Sequence, residues 1–237
     1  MILILASRWD AAAQDTATTW SDPPVRIMTA RDLSRAGWCQ SLGAHDKAIG
    51  RPRAVIEGQP IDDEDIHGVL TRLPWVTDAE LPEIVASDRA YVAAEMSAFL
   101  LCWLAGLTCP VLNQPTPTCL SGPGWRAERW TQAAAATGMA VRAVRRDTRS
   151  SEGPADRTAS TVVTVVGSRV FGEVAGDLEQ KALRLAQLAG VGLLTLGFSG
   201  CEQGAEFLAA DVFPSLDDEV VRRAVFELLA GGPGIRP

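Results

Sequence analysis

The first third of the chain alternates short apolar runs with an amphipathic stretch. Residues 2–6 and Val25–Met28 have the length and the continuous apolar character of buried parallel strands. Between them, Asp10 precedes the stretch Ala11–Thr19, and an aspartate in that position typically caps a helix. The order strand, helix, strand predicts a βαβ unit, followed by a short helical turn at residues 30–35.

The middle of the chain predicts further strands around one long helix. That helix is expected to begin near residue 82 or 87 and to end at 107, and its apolar run, 95–107, is typical of a central buried helix. Gly138 predicts the end of a second helix, 125–137. The strand candidates are residues 54–57, 69–73, 110–113 and 140–144.

The last third returns to strand patterns. The apolar run Thr161–Val166 and residues 169–174 predict two strands joined by a tight turn at residues 167–168. A helix over 178–189, a hairpin within 192–216 and a helix over 217–229 follow. The alternation of strands and helices along the whole chain predicts an α/β fold.

Composition excludes several classes of function. The chain has 237 residues, 47% of them hydrophobic, and a formal net charge of −7. An acidic chain lacks the excess of Lys and Arg that neutralises phosphates, so we expect no nucleic-acid partner. The first residues lack a basic leader and the run 95–107 is shorter than a bilayer span, so we expect a cytoplasmic protein with no membrane partner.

Common catalytic and metal-binding motifs are missing from the sequence. The five cysteines form no close pairs and the two histidines stand apart from them, so we expect no zinc site. Cys119 is interpreted as a structural thiol, and the acidic run 62–65 as a solvated turn rather than a metal site. The sequence contains neither a P-loop nor a nucleophile elbow followed by a histidine.

The most informative pattern lies within residues 192–216. It contains Gly-Leu-Leu-Thr-Leu-Gly-Phe-Ser and, after a short connection, Ala-Glu-Phe-Leu-Ala-Ala-Asp-Val-Phe-Pro. This pair of strands resembles the metal-binding core of ATP-grasp ligases, in which an Asp on the first strand and Phe-Leu-Glu-Val-Asn-Pro on the second hold the nucleotide magnesium. The matching positions here hold Leu196 for the Asp, Ala209 for the Glu and Asp211 for the Asn. One carboxylate cannot replace that set of ligands, so the resemblance implies a degenerate site without metal or nucleotide cofactor.

The same resemblance extends upstream. The sequence Val-Val-Gly-Ser-Arg-Val-Phe-Gly-Glu-Val at 165–174 is similar to the strand pair that crosses the ATP-grasp active site. ATP-grasp enzymes reach the nucleotide phosphates with two lysines on a glycine-rich lid, whereas this chain has only Lys47 and Lys181. Residues 145–160 have the composition of a linker and stand in the place of the lid. We therefore expect an N-terminal domain at 1–144, a linker at 145–160 and a truncated ATP-grasp-like part at 161–237.

The N-terminal part is similar to the domain that precedes the ATP-grasp core in peptide-modifying ligases. The likeness rests on the acidic turn Ile-Asp-Asp-Glu-Asp-Ile at 61–66, the strand with Arg72, the apolar helix, and Val-Leu-Asn-Gln-Pro at 111–115. The expected fold is a Rossmann-like N-terminal part packed on a truncated ATP-grasp-like sheet without the nucleotide lid. Truncated proteins of this kind bind precursor peptides in ribosomal peptide pathways of the crocagin type. The resemblance thus implies a non-catalytic protein whose partner is a precursor peptide, with neighbouring tailoring enzymes as further candidate partners.

Loss of the lid is expected to uncover an edge of the strand pair 161–174, which could accept an extended peptide by strand addition. Tryptophans beside arginines at loops and helix starts suit peptide contact, although packing of their stems on the edge of the core explains them equally well. The predicted peptide-binding residues are Val163, Val165, Arg169, Phe171, Trp125, Arg126 and Trp75.

Three alternatives stay open from the sequence. A second copy of the chain could bury the same strand edge, which would give a homodimer. The chain could instead be a structural subunit of a neighbouring enzyme. It could also be a diverged ATP-grasp ligase that joins a carboxylate to an amine, and the carboxylates available to such an enzyme are Glu202, Glu206, Asp211, Asp217 and Asp218.

Overall fold

The computed structural model describes residues 1–20, 22–40, 51–142, 158–213 and 215–231. The described residues fall into two compact units, the first within residues 1–122 and 215–231 and the second within residues 123–213. Lys47 and most of the predicted linker, residues 145–157, lie outside the described residues. The elements in chain order are β1 (Ile2–Leu5), α1 (Ala11–Thr19), β2 (Val25–Met28), α2 (Ala30–Leu33), β3 (Arg53–Ile56), β4 (Gln59–Asp62), β5 (Gly68–Thr71), α3 (Arg89–Gly106), β6 (Val111–Leu112), α4 (Ala127–Ala136), β7 (Ala140–Val141), β8 (Thr161–Val166), β9 (Arg169–Phe171), α5 (Gly176–Ala189), β10 (Leu193–Phe198), β11 (Glu206–Asp211) and α6 (Glu219–Leu229).

The first unit is built on a four-stranded parallel sheet in the order β2-β1-β5-β6. All four residues of β1 are buried, because β1 has a strand on each side and its short apolar run meets the core on both faces. The predicted helix cap is confirmed: an Asp10 carboxylate oxygen accepts a hydrogen bond from the Ala13 amide at 3.0 Å. The predicted βαβ unit is confirmed as β1, α1 and β2.

One strand of the first unit has no apolar pattern in the sequence and was not predicted. β4 pairs antiparallel with β3 through a two-residue turn in which Glu57 and Gly58 have φ of 53° and 77°. Positive φ at both central positions is the geometry of a type I′ hairpin. The polar sequence Gln-Pro-Ile-Asp hides the strand, and its proline is tolerated because β4 has a partner on only one side among the described residues.

The long apolar helix, α3, is less buried than its sequence predicts. Its inner face buries residues such as Leu100, Trp103 and Leu104, whereas Tyr91 on another face is 69% exposed. α3 is therefore a covering helix with one free face rather than the central buried helix expected from its composition. In the part of the chain that the structure describes, no helix combines the length and apolar character needed to cross a bilayer.

The second unit is built on a five-stranded mixed sheet in the order β7-β11-β10-β8-β9. Only β7 and β11 run parallel, and the other neighbours are antiparallel. One face of the sheet packs with α4 and α5 around a core that includes Trp130, Leu185, Leu196 and Phe198. The predicted strand Thr161–Val166 and the predicted hairpin strands are confirmed as β8, β10 and β11.

The compact units do not coincide with the expected domain limits of 1–144 and 161–237. β7 pairs with Glu206 and Phe207 of β11, which places α4 and β7 in the second unit. α6 belongs to the first unit, where the Leu229 backbone lies directly over Gly68 of β5. The polar composition near residue 145 indicated a boundary, but pairing and packing between residues far apart in sequence decide which elements share a core.

Candidate functional site

The candidate site lies at an edge of the second unit's sheet. Among the described residues, β9 pairs with β8 on one side and with no strand on the other. The two strands are joined by Gly167 and Ser168, and Gly167 has a φ of 60°, as at the first central position of a type II′ turn. Among the described residues, β9 is therefore an edge strand.

The register of this hairpin decides which backbone groups of β9 point outward. Val166 and Arg169 flank the turn and form a hydrogen-bonded pair, so the next pair, Val165 and Val170, is not hydrogen-bonded. Arg169 and Phe171 thus direct their peptide groups toward β8. The N–H and C=O of Val170 point away from β8, toward the open side of the edge.

Two of the predicted peptide-binding residues are not at the surface. Val163 and Val165 are fully buried, and both pair with β10, opposite Leu196 and Leu194. Their side chains face the core beneath α4 and α5. They stabilise β8 from within and offer no surface to a peptide, because an inner strand of a sheet has no unpaired edge.

The other two predicted strand residues do lie at the surface. Arg169 is exposed and Phe171 is half-buried. Their side chains share one face of the sheet because they are two residues apart on a strand, and the Arg169 guanidinium lies over the Phe171 ring, 5.5 Å from its centroid. A cation and an aromatic ring thus flank the outward peptide groups of Val170.

The predicted corner of Trp125 and Arg126 is elsewhere on the same unit. Trp125 is half-buried against the Trp130 ring, with centroids 4.7 Å apart, and its cationic partner is Arg129, at 5.0 Å from the ring, rather than Arg126. α4, which begins just after this corner, packs on β11 and β7. β11 is three strand spacings from β9, roughly 14 Å, so the corner and the β9 edge are not neighbours.

Trp75, the remaining predicted residue, belongs to the first unit. It is 54% exposed and lines a groove of about 230 Å³ between α3 and the loop 116–120. Cys119 lies in the wall of this groove, and burial raises the pKa of its thiol. A thiol with a raised pKa is a poor nucleophile, which agrees with the interpretation of Cys119 as structural.

The β10–β11 pair carries the positions that resemble the ATP-grasp metal site. Ala209 and Asp211 are exposed and share the face opposite the helices, where Thr195 is the direct partner of Asp211. Leu196 was expected to occupy the position of the ligand Asp on this face. That expectation is wrong, because Leu196 is fully buried in the core on the other face of the sheet. Among the described residues, Asp211 is the carboxylate beside Thr195 and Ala209 on this face, whereas Glu206, at the other end of β11, is paired with Arg142 at 2.8 Å. No cluster of three or more His, Cys, Asp or Glu suited to a metal occurs among the described residues.

The predicted site residues did not include Val170, and they included Arg126 rather than Arg129 beside Trp125. A valine is not a typical binding residue, and Val170 is of interest only because its backbone N–H and C=O point outward. The signal was present, however, because a two-residue turn at Gly167 and Ser168 fixes which positions of the next strand face outward.

No protein-family model matches the sequence, and a search of curated proteins finds no match. Solved structures do match. Macrocyclase MdnC from Microcystis aeruginosa MRC, solved with its precursor peptide MdnA, aligns with a TM-score of 0.68 at 10% identity over 96% of this chain and 98% of MdnC. A RiPP-associated ATP-grasp ligase from Chryseobacterium gregarium, solved with ADP and a leader and core peptide, gives 0.65 at 13% identity over 98% and 97%. The fold is ATP-grasp-like.

A third solved structure supports the same ATP-grasp-like assignment. The ATP-grasp ligase PsnB, solved with a minimal precursor, Mg and ADP, aligns with a TM-score of 0.58 at 15% identity over 96% of this chain and 98% of PsnB. The expected α/β fold with an ATP-grasp-like sheet is therefore confirmed. At these identities the likeness is one of ATP-grasp-like architecture alone.

Proposed function

We propose that this protein binds the precursor peptide of a ribosomal peptide pathway and does not itself catalyse ATP-dependent ligation. The observation that carries the proposal is the β10–β11 pair, where, among the described residues of an ATP-grasp-like fold, Asp211 is the carboxylate beside Thr195 and Ala209 and the other carboxylate of β11, Glu206, is paired with Arg142. Magnesium requires several oxygen ligands in near-octahedral geometry, and Ala209 supplies none. The absence of a nucleotide lid at 145–160 and a place in a crocagin-type pathway belong to the same proposal.

The proposed binding of a precursor peptide is supported by the solved structures that share this fold. MdnC, the Chryseobacterium ligase and PsnB were each solved with a precursor peptide or parts of one. An ATP-grasp-like protein that has lost its metal ligands but keeps a surface for the peptide would retain recognition without chemistry. Tailoring enzymes of the pathway would then act on the peptide that this protein presents.

We place the peptide on the β9 edge. An extended peptide adds to a sheet by exchanging main-chain hydrogen bonds with outward N–H and C=O groups, and Val170 offers one of each. Arg169 and Phe171 flank these groups and provide the side-chain contacts. Trp125, Arg126 and Trp75 lie outside this edge, and their contact with a peptide is proposed separately for the unit to which each belongs.

The test uses a proline at the outward position. Val170→Pro removes the outward N–H but leaves the ladder bonds of Arg169 and Phe171 to β8, and proline is tolerated at an edge position whose N–H faces solvent. The matched control, Val170→Thr, keeps the N–H and the β-branched shape. Fluorescence polarisation with a labelled precursor peptide from the same gene cluster should show binding by the wild type and the Thr variant, and about tenfold weaker binding by the Pro variant.

Calorimetry with Mg-ATP tests the non-catalytic part separately. We expect no saturable binding and no ADP release when the precursor peptide is added. Saturable binding with ADP release would instead favour the diverged ligase. If the wild type fails to bind the precursor peptide, or the Pro variant binds as well as the wild type, the edge proposal is wrong.

A further inference from the structure

The β9 edge carries side chains of different chemical type on its two faces, beside the outward-pointing N–H and C=O of Val170. Arg169 and Phe171 lie on one face of the strand, in line with Val166 and Thr164 of β8. Val170 lies on the other face, opposite Val165, and packs on the core beneath α5. The side chains that a new strand would meet therefore differ between the two faces: a cation and an aromatic ring on one, a half-buried aliphatic side chain on the other.

The register of an added strand follows from the outward groups. In antiparallel pairing, which is the more stable kind, one peptide residue exchanges both main-chain hydrogen bonds with Val170. Its two neighbours then lie opposite Arg169 and Phe171 in non-hydrogen-bonded pairs, in which side chains approach most closely, with Cβ atoms about 4.5–5.5 Å apart. Because the strands are antiparallel, the peptide residue opposite Phe171 precedes the one opposite Arg169 by two positions.

The chemistry of these two positions is distinct. A carboxylate opposite Arg169 gains a charge-assisted hydrogen bond to the planar guanidinium, which matches two carboxylate oxygens. An aromatic or β-branched side chain opposite Phe171 gains cross-strand apolar contact. The chain as a whole carries a net charge of −7, which repels acidic peptides at long range, so any preference for a carboxylate has to come from local contact with Arg169.

We propose that the β9 edge selects an extended peptide segment in which an apolar residue is followed two positions later by Asp or Glu, with the apolar residue opposite Phe171 and the acid opposite Arg169. This inference rests on the proposed peptide-binding function and adds its specificity. It makes Arg169 and Phe171 the residues that determine which segment of a peptide is bound, while Val170 supplies the backbone contact common to all segments.

The experiment is a peptide-display selection with a random twelve-residue library on immobilised full-length protein. The wild type should enrich apolar-x-acid segments. Arg169→Glu should shift the third position from acid to Lys or Arg, and Phe171→Ala should lose the apolar preference while keeping the acid. Arg223→Glu makes the same charge change on α6 of the other unit, where Arg223 pairs with Glu219, and should select as the wild type does.

Affinities of synthetic peptides make the test quantitative. Arg169→Glu should weaken an apolar-x-Glu peptide about tenfold and should bind the matching apolar-x-Lys peptide better than the wild type does. A peptide motif that is lost in Val170→Pro but unchanged in Arg169→Glu would overturn this inference and leave the proposed function standing. A library from which the wild type enriches nothing would overturn both.

Discussion

The substitution Gly68→Ala tests whether the last helix of the chain returns to the first sheet. Gly68 begins β5 and is buried beneath the end of α6. A Cβ built on Gly68 would lie 2.5 Å from the carbonyl oxygen of Leu229 and 2.9 Å from the Leu229 Cβ. Such approaches are too short for van der Waals contact, and the carbonyl belongs to the backbone, so the last turn of α6 has to move.

The expected cost follows from the size of the clash. Adding a methyl group to a well-packed core typically destabilises by about 1–3 kcal/mol, because neighbouring atoms leave their preferred positions. Leu229 is fully buried, so its displacement also disturbs apolar packing around it. In a domain of this size, the unfolding temperature falls by about 2–4 °C for each kcal/mol. We therefore expect Gly68→Ala to lower the unfolding temperature by several degrees.

A second glycine provides the matched control. Gly106 ends α3, and a Cβ built there meets no atom within 4 Å. Gly106→Ala adds the same methyl group in open space and removes the entropic penalty of a helical glycine, so it should leave stability unchanged or raise it by up to about 1 kcal/mol.

The assay combines thermal unfolding with hydrogen exchange read by mass spectrometry. Gly68→Ala should lower the melting temperature and speed exchange in the last turn of α6, whereas Gly106→Ala should do neither. If Gly68→Ala stays within about 0.5 kcal/mol of the wild type, as substitutions away from packed sites do, α6 does not pack on β5 as described.

Three further predictions concern buried polar groups. Burial raises the pKa of Asp63, so the wild type loses stability as pH rises from the unfolded-state pKa of about 3.9 through the folded value. The variant Asp63→Asn has no carboxyl group to ionise and lacks this loss. Its free energy of unfolding in urea titrations should therefore increase relative to that of the wild type from pH 4 to pH 7. Burial raises the pKa of Cys109 to about 11, so at pH 8 iodoacetamide should modify Cys109 more slowly than the exposed Cys102 and Cys201, and equal rates by mass spectrometry would contradict this. Asp10 caps α1 and pairs with the Arg72 guanidinium at 2.7 Å, so Asp10→Ala should cost about 3 kcal/mol in thermal unfolding, and Asp10→Asn, which keeps the cap, should cost less.

The elements that the sequence predicted well are those with a local signal. The cap of α1 depends on Asp10 and the three residues after it, and the hairpin of β8 and β9 depends on the turn at Gly167. Short-range chemistry of this kind is visible in a linear chain. The ATP-grasp-like pattern at 192–216 is local too, and it led to the correct fold class.

The errors concern relations between distant residues. Nothing in the sequence near α6 shows that Leu229 packs over Gly68, and nothing near β7 shows that Val141 pairs with Phe207. Leu196 was assigned to the wrong face because a strand's alternation cannot be counted through the irregular connection 199–205, and β10 and β11 also slip in register between Gly197 and Phe198. Burial of Val163 likewise depends on the partner strand β10.

The shortness of β9 bears on how readily the protein aggregates. An exposed sheet edge is a template on which any extended chain can add, and long, flat edges drive aggregation. β9 spans Arg169–Phe171, with one outward-facing residue and a charged side chain beside it, so a foreign strand gains few main-chain bonds there. Backbone pairing alone is therefore too weak to hold a random partner at this edge. A second chain would remain bound to β9 only if its side chains also contacted those of the edge.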